Sequence, residues 1–284
     1  MKSKAFPSVL WFRQLLIYLC ILAFLIFFLF PFAWMLIVSL KPDQELYNFA
    51  SFPFWVKSPT LDHYRFLFSE TSLPTWFKNS FVVALSSTAI SLGVGILAAY
   101  GLARIRFRGS SGFALMIFVT YLVPTSLLFL PLSTVISLLG LANTYWALIL
   151  TYPSFLIPFC TWLLLGYFKT IPLALEESAM IDGCGRFQAM VHIVLPLAVP
   201  GIVCVGLFAF TLSWQEFIYS LTFISSAGQK TLPSGIVTEL VRGDVYFWGS
   251  LMSACLLGSI PIAILYSLFL DYFVAGLTAG SVKS

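Results

Sequence analysis

The sequence predicts an all-α polytopic membrane protein with six transmembrane helices. Three observations predict it. Of the 284 residues, 60% are hydrophobic and only 9% are charged, whereas a soluble domain carries roughly a quarter charged residues. The apolar residues gather into runs near the ~20 residues that a bilayer crossing needs. Residues 109–168 contain no Asp, Glu, Lys or Arg at all, a stretch too long for one crossing and suited to two. The length allows one compact domain of several spans. A net charge of +4 is too small to argue for nucleic acid as a partner.

The elements follow in order. Residues 1–14 carry Lys2, Lys4 and Arg13 ahead of an uncharged run from Gln14 to Leu40. A cleaved signal would have an apolar core of roughly 7–15 residues and a small-residue cleavage site. This run exceeds that and has no such ending, so it reads as an uncleaved first span, about Leu15 to Val38. The second span is about Ser80 to Ala103. It repeats small residues every four positions, at Ser87, Ser91, Gly95 and Ala99, a face that lets another helix approach closely. The third and fourth are about Phe113 to Leu132 and Trp146 to Phe168, divided by a turn at Leu138 to Thr144 that holds Gly140 and Asn143. Pro124, Pro131, Pro153 and Pro158 fall in or beside them. Kinks around a pathway and simple packing bends are both open there. The fifth span is about Leu197 to Ile218 and the sixth about Val245 to Leu270. Residues 15–270 thus form one six-helix domain, and residues 271–284 a tail.

Six spans put both termini on one side. Lys2, Lys4, Arg13, Arg104, Arg106, Arg108, Lys169, Arg186 and Lys283 fall on that side. Lys41, Lys57, Arg65, Lys78, Lys230 and Arg242 fall on the other. The positive-inside rule makes the terminal side cytoplasmic. Trp76, Trp146 and Trp248 then stand where the chain enters the membrane from outside, as in an aromatic belt.

The loop at residues 169–196 is the most polar part of the second half. Thr170 can cap a helix and Pro172 suits its first turn. Residues 173–181 are mostly good helix formers, with Glu176 and Glu177 near the positive end of the dipole. Asp182-Gly183 breaks the helix, because Gly183 adopts positive φ freely. A second short helix spans about Arg186 to Val194, with Phe187, Met190 and Val191 at helical spacing. Pro196 and Pro200 mark re-entry into apolar sequence.

Glu177, Ser178, Ala179, three residues, Gly183, nine residues, Ile193, one residue and Leu195-Pro196 resemble the EAA loop of ABC importer permeases. Only Ser178 departs, one small residue for another. NSFVVAL at Asn79, AAYGLARIRFRG at Ala98, NTYWALIL at Asn143, SWQEF at Ser213 and GLTAGSVKS at Gly276 are similar to carbohydrate-uptake permeases of the maltose-transporter type. The resemblance implies the ABC importer permease fold in a bacterial or archaeal plasma membrane. It implies a second, related permease, two ATP-binding subunits that meet residues 169–196, an extracytoplasmic substrate-binding protein and a sugar-like substrate; Glu177 and Asp182, as acids on the short helix, are expected to contact the ATP-binding subunits. It further implies that the outer loop from Ser225 to Asp244, with Thr231, Leu232, Pro233 and Gly235, meets the binding protein. The tail, with Gly276, Leu277, Thr278, Ala279 and Gly280, would lie along the ATPase interface. Trp214-Gln215-Glu216-Phe217 resembles the family's Trp-Asn-Glu-Phe pattern. Glu216 is the acid deepest in an apolar segment, yet a helix from Leu197 would carry it roughly 28 Å, near the far boundary. A pathway or gate role and a merely interfacial one are both open.

No chemistry of other classes is encoded. There is no phosphate-cradling G-x-x-x-x-G-K-[ST] run, so the energy must come from another chain or an ion gradient, the resemblance implying ATP hydrolysis in separate subunits, and no nucleophile–base set marks an enzyme. The five cysteines have no paired spacing, so no disulfide, metal site or cofactor is expected. His63, in an outer loop, and His192, in the 169–196 loop, suit surface or interfacial roles. The competing class is a self-sufficient ion-coupled transporter. That class usually shows internal repeats and midplane charges, and this sequence shows neither.

Overall fold

The computed structural model describes residues 7–278 other than 49, 51 and 106, with residues 7–10 and 277–278 described in backbone only. The Arg106 part of the charge argument and the tail residues 279–284 therefore lie outside the described residues. Among the described residues, five helices are long and apolar enough to cross a membrane: Trp11–Leu40, Leu73–Arg104, Tyr145–Phe168, Arg186–Trp214 and Trp248–Leu268. A sixth crossing is available only if a bent pair counts as one. The chain separates into two compact units, residues up to 71 with 240–259, and residues 72–239 with the remainder from 260.

In the first unit, helix α1 (Pro7–Leu40) is apolar on every side, and Trp11 to Phe32 are exposed in this chain. Such a surface requires lipid or protein cover. Helix α2 (Asp62–Ser69) carries His63, which is buried rather than at the surface. Its Nε2 lies 2.8 Å from the Lys41 carbonyl and its Nδ1 3.3 Å from Ser250 Oγ. Lys41 is itself buried and donates to the Phe52 and Pro53 carbonyls. The sequence reading anticipated no strand, yet Val241–Arg242 pairs antiparallel with Val245–Tyr246. Gly243 supplies positive φ (62°) in the two-residue turn.

The second unit is built on α3 (Leu73–Arg104). The bent pair α4 (Ser110–Tyr121) and α5 (Thr125–Leu138) follows. The sequence predicts a third span of about Phe113 to Leu132 with a kink or bend at its prolines; the two halves meet at 92°, a sharper break than either. Pro124 explains the break: it has no N–H for a helical bond and sits at ψ 121°, outside the helical range. Asn143 (φ 61°) and Gly140 (φ 67°) make the expected turn, and the Asn143 carboxamide ties it to Ser225 and Ser226. Helices α6 (Tyr145–Thr151) and α7 (Pro153–Phe168) form one span. The core lies where α3 meets α7. Ser87, Ser91, Gly95 and Ala99 are all buried, and a Cβ placed on Gly95 would stand 2.8 Å from Cys160 Cβ. In a bilayer no hydrophobic drive pushes helices together, so such close backbone approach is what holds them.

Trp76 departs from its expected belt position. It is 1% exposed, and its ring lies where Gly235 leaves room, 2.3 Å from a notional Cβ.

Candidate functional site

Helix α8 (Leu173–Ile181) is the first arm of the 169–196 loop. Thr170 does not cap it. The Thr170 hydroxyl donates back to the Tyr167 carbonyl at 2.7 Å, and Pro172, at ψ 129°, turns the chain into the helix. The far end closes as a Schellman motif: the Cys184 N–H bonds the Ala179 carbonyl (3.0 Å) and the Gly183 N–H that of Met180 (3.2 Å). Gly183, at φ 94°, supplies the left-handed residue that this closure needs.

The second arm differs from expectation. It is no separate short helix; from Arg186 it continues through Trp214 as α9. Residues Met190–Val194, which include Ile193, widen into a π turn just before Leu195 and Pro196. Pro196 removes the N–H that an α-helix would offer the His192 carbonyl, a recognised cause of such local widening. The Gly185 N–H bonds the Gln188 side chain at 2.9 Å and steadies the start of α9.

On this frame Glu177, Ser178, Asp182 and Gly183 are exposed, and Ala179 is buried. Ile181 and Phe187 project as well, 86% and 68% exposed. The loop thus presents acids beside bare apolar tips, a surface suited to a protein partner.

Sequence reasoning missed the group beneath that surface. Glu176 is 2% exposed. Its carboxylate is ion-paired with the Arg104 guanidinium, also buried. Arg104 donates a second bond to the Ile171 carbonyl at 2.8 Å. The Tyr100 hydroxyl donates to Glu176 Oε2 at 3.0 Å and shares its proton with the Arg186 carbonyl at 3.2 Å. The signal was present, since Arg104 is one charge at the end of an apolar helix and Glu176 sits i−1 to the exposed Glu177.

At the end of α9 the chain breaks before α10 (Ile218–Phe223). Trp214 is buried against Phe210 and Phe77, and Gln215 is exposed. Glu216 caps α10: its carboxylate accepts the Tyr219 N–H (2.9 Å), the Ser220 N–H (3.3 Å) and the Tyr152 hydroxyl (2.9 Å). Gln215 and Glu216 border a cleft of about 550 Å³ walled by Tyr121, Phe155, Phe159 and Phe208.

The segment from Ser225 is not an open, turn-rich loop throughout. Residues Leu232–Leu240 form helix α11. Thr231, Leu232 and Gly235 are buried, and Pro233 is partly so. These side chains pack inward because Ser80 Oγ accepts the Leu232 N–H at 2.7 Å and Gly235 seats Trp76. Residues 225–228 are exposed, as are Val237 and residues 242–244. The last spanning helix, α12 (Trp248–Leu268), leads to α13 (Leu270–Thr278). On sequence, residues 271–284 read as a tail beyond the six-helix domain. Gly276 instead packs α13 against α9, its notional Cβ 2.9 Å from the Pro200 carbonyl oxygen. Leu277 and Thr278 complete the helix backbone, while Ala279 and Gly280 lie outside the described residues.

Residues 91–279 match the family described as binding-protein-dependent transport system inner membrane component. The chain is 39% identical over 256 residues to the sulfoquinovosyl glycerol transport system permease protein SmoH of Agrobacterium fabrum, covering 90% of this chain and 89% of that one. It is 36% identical over 258 residues to the trehalose/maltose transport system permease protein MalG of Thermococcus litoralis, covering 90% and 91%. The fold is similar to a chain of a bacterial ABC transporter involved in import of the acidic polysaccharide alginate, with TM-score 0.78, 17% identity, and 95% and 100% covered. Family membership also sets aside the ion-coupled alternative. The chain belongs to the family of binding-protein-dependent transport system inner membrane components, the multi-pass permeases of ABC importers.

Proposed function

We propose that this chain is one of two related permease subunits of an ATP-driven importer for a sugar or sugar-like solute. Two ATP-binding subunits dock on the 169–196 loop, and an extracytoplasmic binding protein delivers the solute to the opposite side. Both termini are then cytoplasmic. The observation that carries the reading is the α8 arm, closed by Gly183 and presenting Glu177, Ile181 and Asp182 to solvent beside Phe187 of α9. The sugar assignment rests on relatives whose names specify sugars. The aromatic cleft beside Gln215 and Glu216 is the part of the pathway this chain contributes, since aromatic faces suit the apolar faces of sugar rings. Glu216, held by three donors, sets the cleft's wall rather than touching solute.

Charge reversal tests the coupling surface. Glu177→Lys is expected to reduce co-purification of the ATP-binding subunits at least fivefold while leaving membrane insertion intact. Full assembly and full uptake in that variant would remove the reading. The exposed residues 225–228 are available to the binding protein, with Thr231, Leu232, Pro233 and Gly235 beneath them.

The tail from Gly276 to Gly280 is proposed to meet the ATP-binding subunits. Deleting Leu277 to Ser284 is expected to leave Gly276 packed on Pro200 and the protein inserted, but to lower solute-stimulated ATP hydrolysis severalfold. Hydrolysis and uptake equal to the intact chain would show the tail to be a loose end.

A further inference from the structure

Helix α3 is gripped at both ends. At its first turns the Trp76 indole N–H donates to the Ala227 carbonyl at 2.8 Å. The Asn79 amide donates to the Gly228 (3.0 Å) and Lys230 (2.8 Å) carbonyls, and its oxygen accepts the Tyr145 hydroxyl at 3.0 Å. Both amide hydrogens and the amide oxygen are therefore in use. Ser80 accepts from Leu232 N–H. These bonds hold the exposed residues 225–228 directly to the helix.

At the last turn, Tyr100 and Arg104 hold three separate segments: Ile171 after α7, Glu176 in α8 and the first residue of α9, Arg186. Both grips lie on one helix of 32 residues, and Asn79 and Tyr100 are about 32 Å apart along it at 1.5 Å per residue. Its one proline, Pro74, lies in the first turn. The stripe from Ser87 to Ala99 is buried, with Gly95 locked on Cys160. The helix is continuous from Leu73 to Arg104 with no proline beyond its first turn.

The chemistry of the inner grip is informative. A buried ion pair seldom adds stability over an apolar pair of the same size, and its best-attested use is to specify one geometry. Here the geometry specified is that of α8 on the end of α3. Glu176 faces inward from the same turn that sends Glu177 outward, so any tilt of α8 imposed through Glu177 acts on Arg104.

We propose that α3 is the rod that links the state of the outer residues 225–228 to the coupling helix α8. Trp76 and Asn79 form its outer grip, and Tyr100, Arg104 and Glu176 are the positioning residues of its inner grip. This rests on the reading that α8 meets the ATP-binding subunits. Coupling between sites is reciprocal, so it can be read from the ATPase outward with no transported solute.

The experiment uses the assembled complex with the five native cysteines of this chain replaced by alanine and Ala227→Cys introduced as reporter. The maleimide labelling rate is measured with and without trapping by Mg-ATP and orthovanadate. Trapping is expected to change the rate at least threefold in the parent complex. In Glu176→Gln, with ATP-binding subunits still bound and trapped, the two rates become equal. Where Glu176→Gln does not accumulate, Tyr100→Phe removes a single hydroxyl and is expected to lower the response at least twofold. An undiminished response in the variant that accumulates, or no response in the parent, overturns the proposal. Glu177→Lys separates the two layers. If it retains full assembly and the parent response, the coupling-loop reading itself fails and the rod with it. If Glu177→Lys abolishes the response and Glu176→Gln does not, only the rod is wrong.

Discussion

Gly95→Leu is expected to abolish accumulation of the folded protein. The reason is geometric. A Cβ at residue 95 would already stand 2.8 Å from Cys160 Cβ, 3.3 Å from the Thr161 nitrogen and 3.4 Å from the Cys160 carbonyl carbon. Two of those three atoms are backbone, so no side-chain rotation relieves the clash, and α3 and α7 must separate. Overpacking of a tight core costs typically about 1–3 kcal/mol, and four added carbons at a backbone contact belong at the upper end. The loss is compounded because van der Waals fit is the main attraction between helices in lipid. Gly93→Leu is the control: the same change two residues away, where nothing lies within 4 Å. The measurement is the yield of monodisperse protein in mild detergent and its thermal unfolding midpoint. Equal yield and midpoint for the two variants would show that the α3–α7 contact is not what holds the unit together.

That contact was legible from the chain itself, since Ser87, Ser91, Gly95 and Ala99 share one helical face and small residues at that spacing have one main structural use. The helix-breaking role of Gly183 was equally legible, because Asp-Gly after good helix formers admits few other conformations. What sequence could not supply were relations between distant segments. Arg104 counted as one more basic residue at a membrane edge until Glu176, 72 positions later, was placed against it. Trp76 had the composition of a belt residue, and only the absence of a side chain at Gly235 makes room for it in the interior. The segment from Leu232 to Leu240 has turn-forming residues at its start, and Pro233 and Gly235 concealed the helix that follows. The 92° break in the third span follows from Pro124, but proline kinks and proline breaks look alike in a sequence. In the 169–196 loop the sequence singled out Glu177 and Asp182, which are exposed, and passed over the buried Glu176, because burial is the property that a single sequence encodes least directly.

Gly183→Val tests the exposed half by backbone strain alone. Gly183 has φ 94° and nothing within 4 Å of a notional Cβ, so the substitution meets no neighbour. Its cost lies in the dihedral: a β-branched residue in the left-handed region is a genuine outlier, and such strain costs of order 1–3 kcal/mol. The chain escapes by abandoning positive φ, which breaks the bonds from Gly183 and Cys184 to Met180 and Ala179. Helix α8 then loses its fixed angle to α9, and Glu177 and Ile181 no longer present one surface with Phe187. Glu176 remains paired with Arg104, so the membrane part still inserts. Since 1.4 kcal/mol is a tenfold change in an equilibrium, solute uptake is expected to fall about tenfold or more, with hydrolysis by any bound ATP-binding subunits no longer responsive to solute. The graded series gives the sharper reading. Asn tolerates positive φ better than other side chains, so uptake should rank Gly, then Asn, then Ala, then Val. Normal uptake by the valine variant would mean the turn is not held in this conformation during transport. A ranking with Asn below Val would mean that side-chain size at the tip, and not backbone strain, governs coupling.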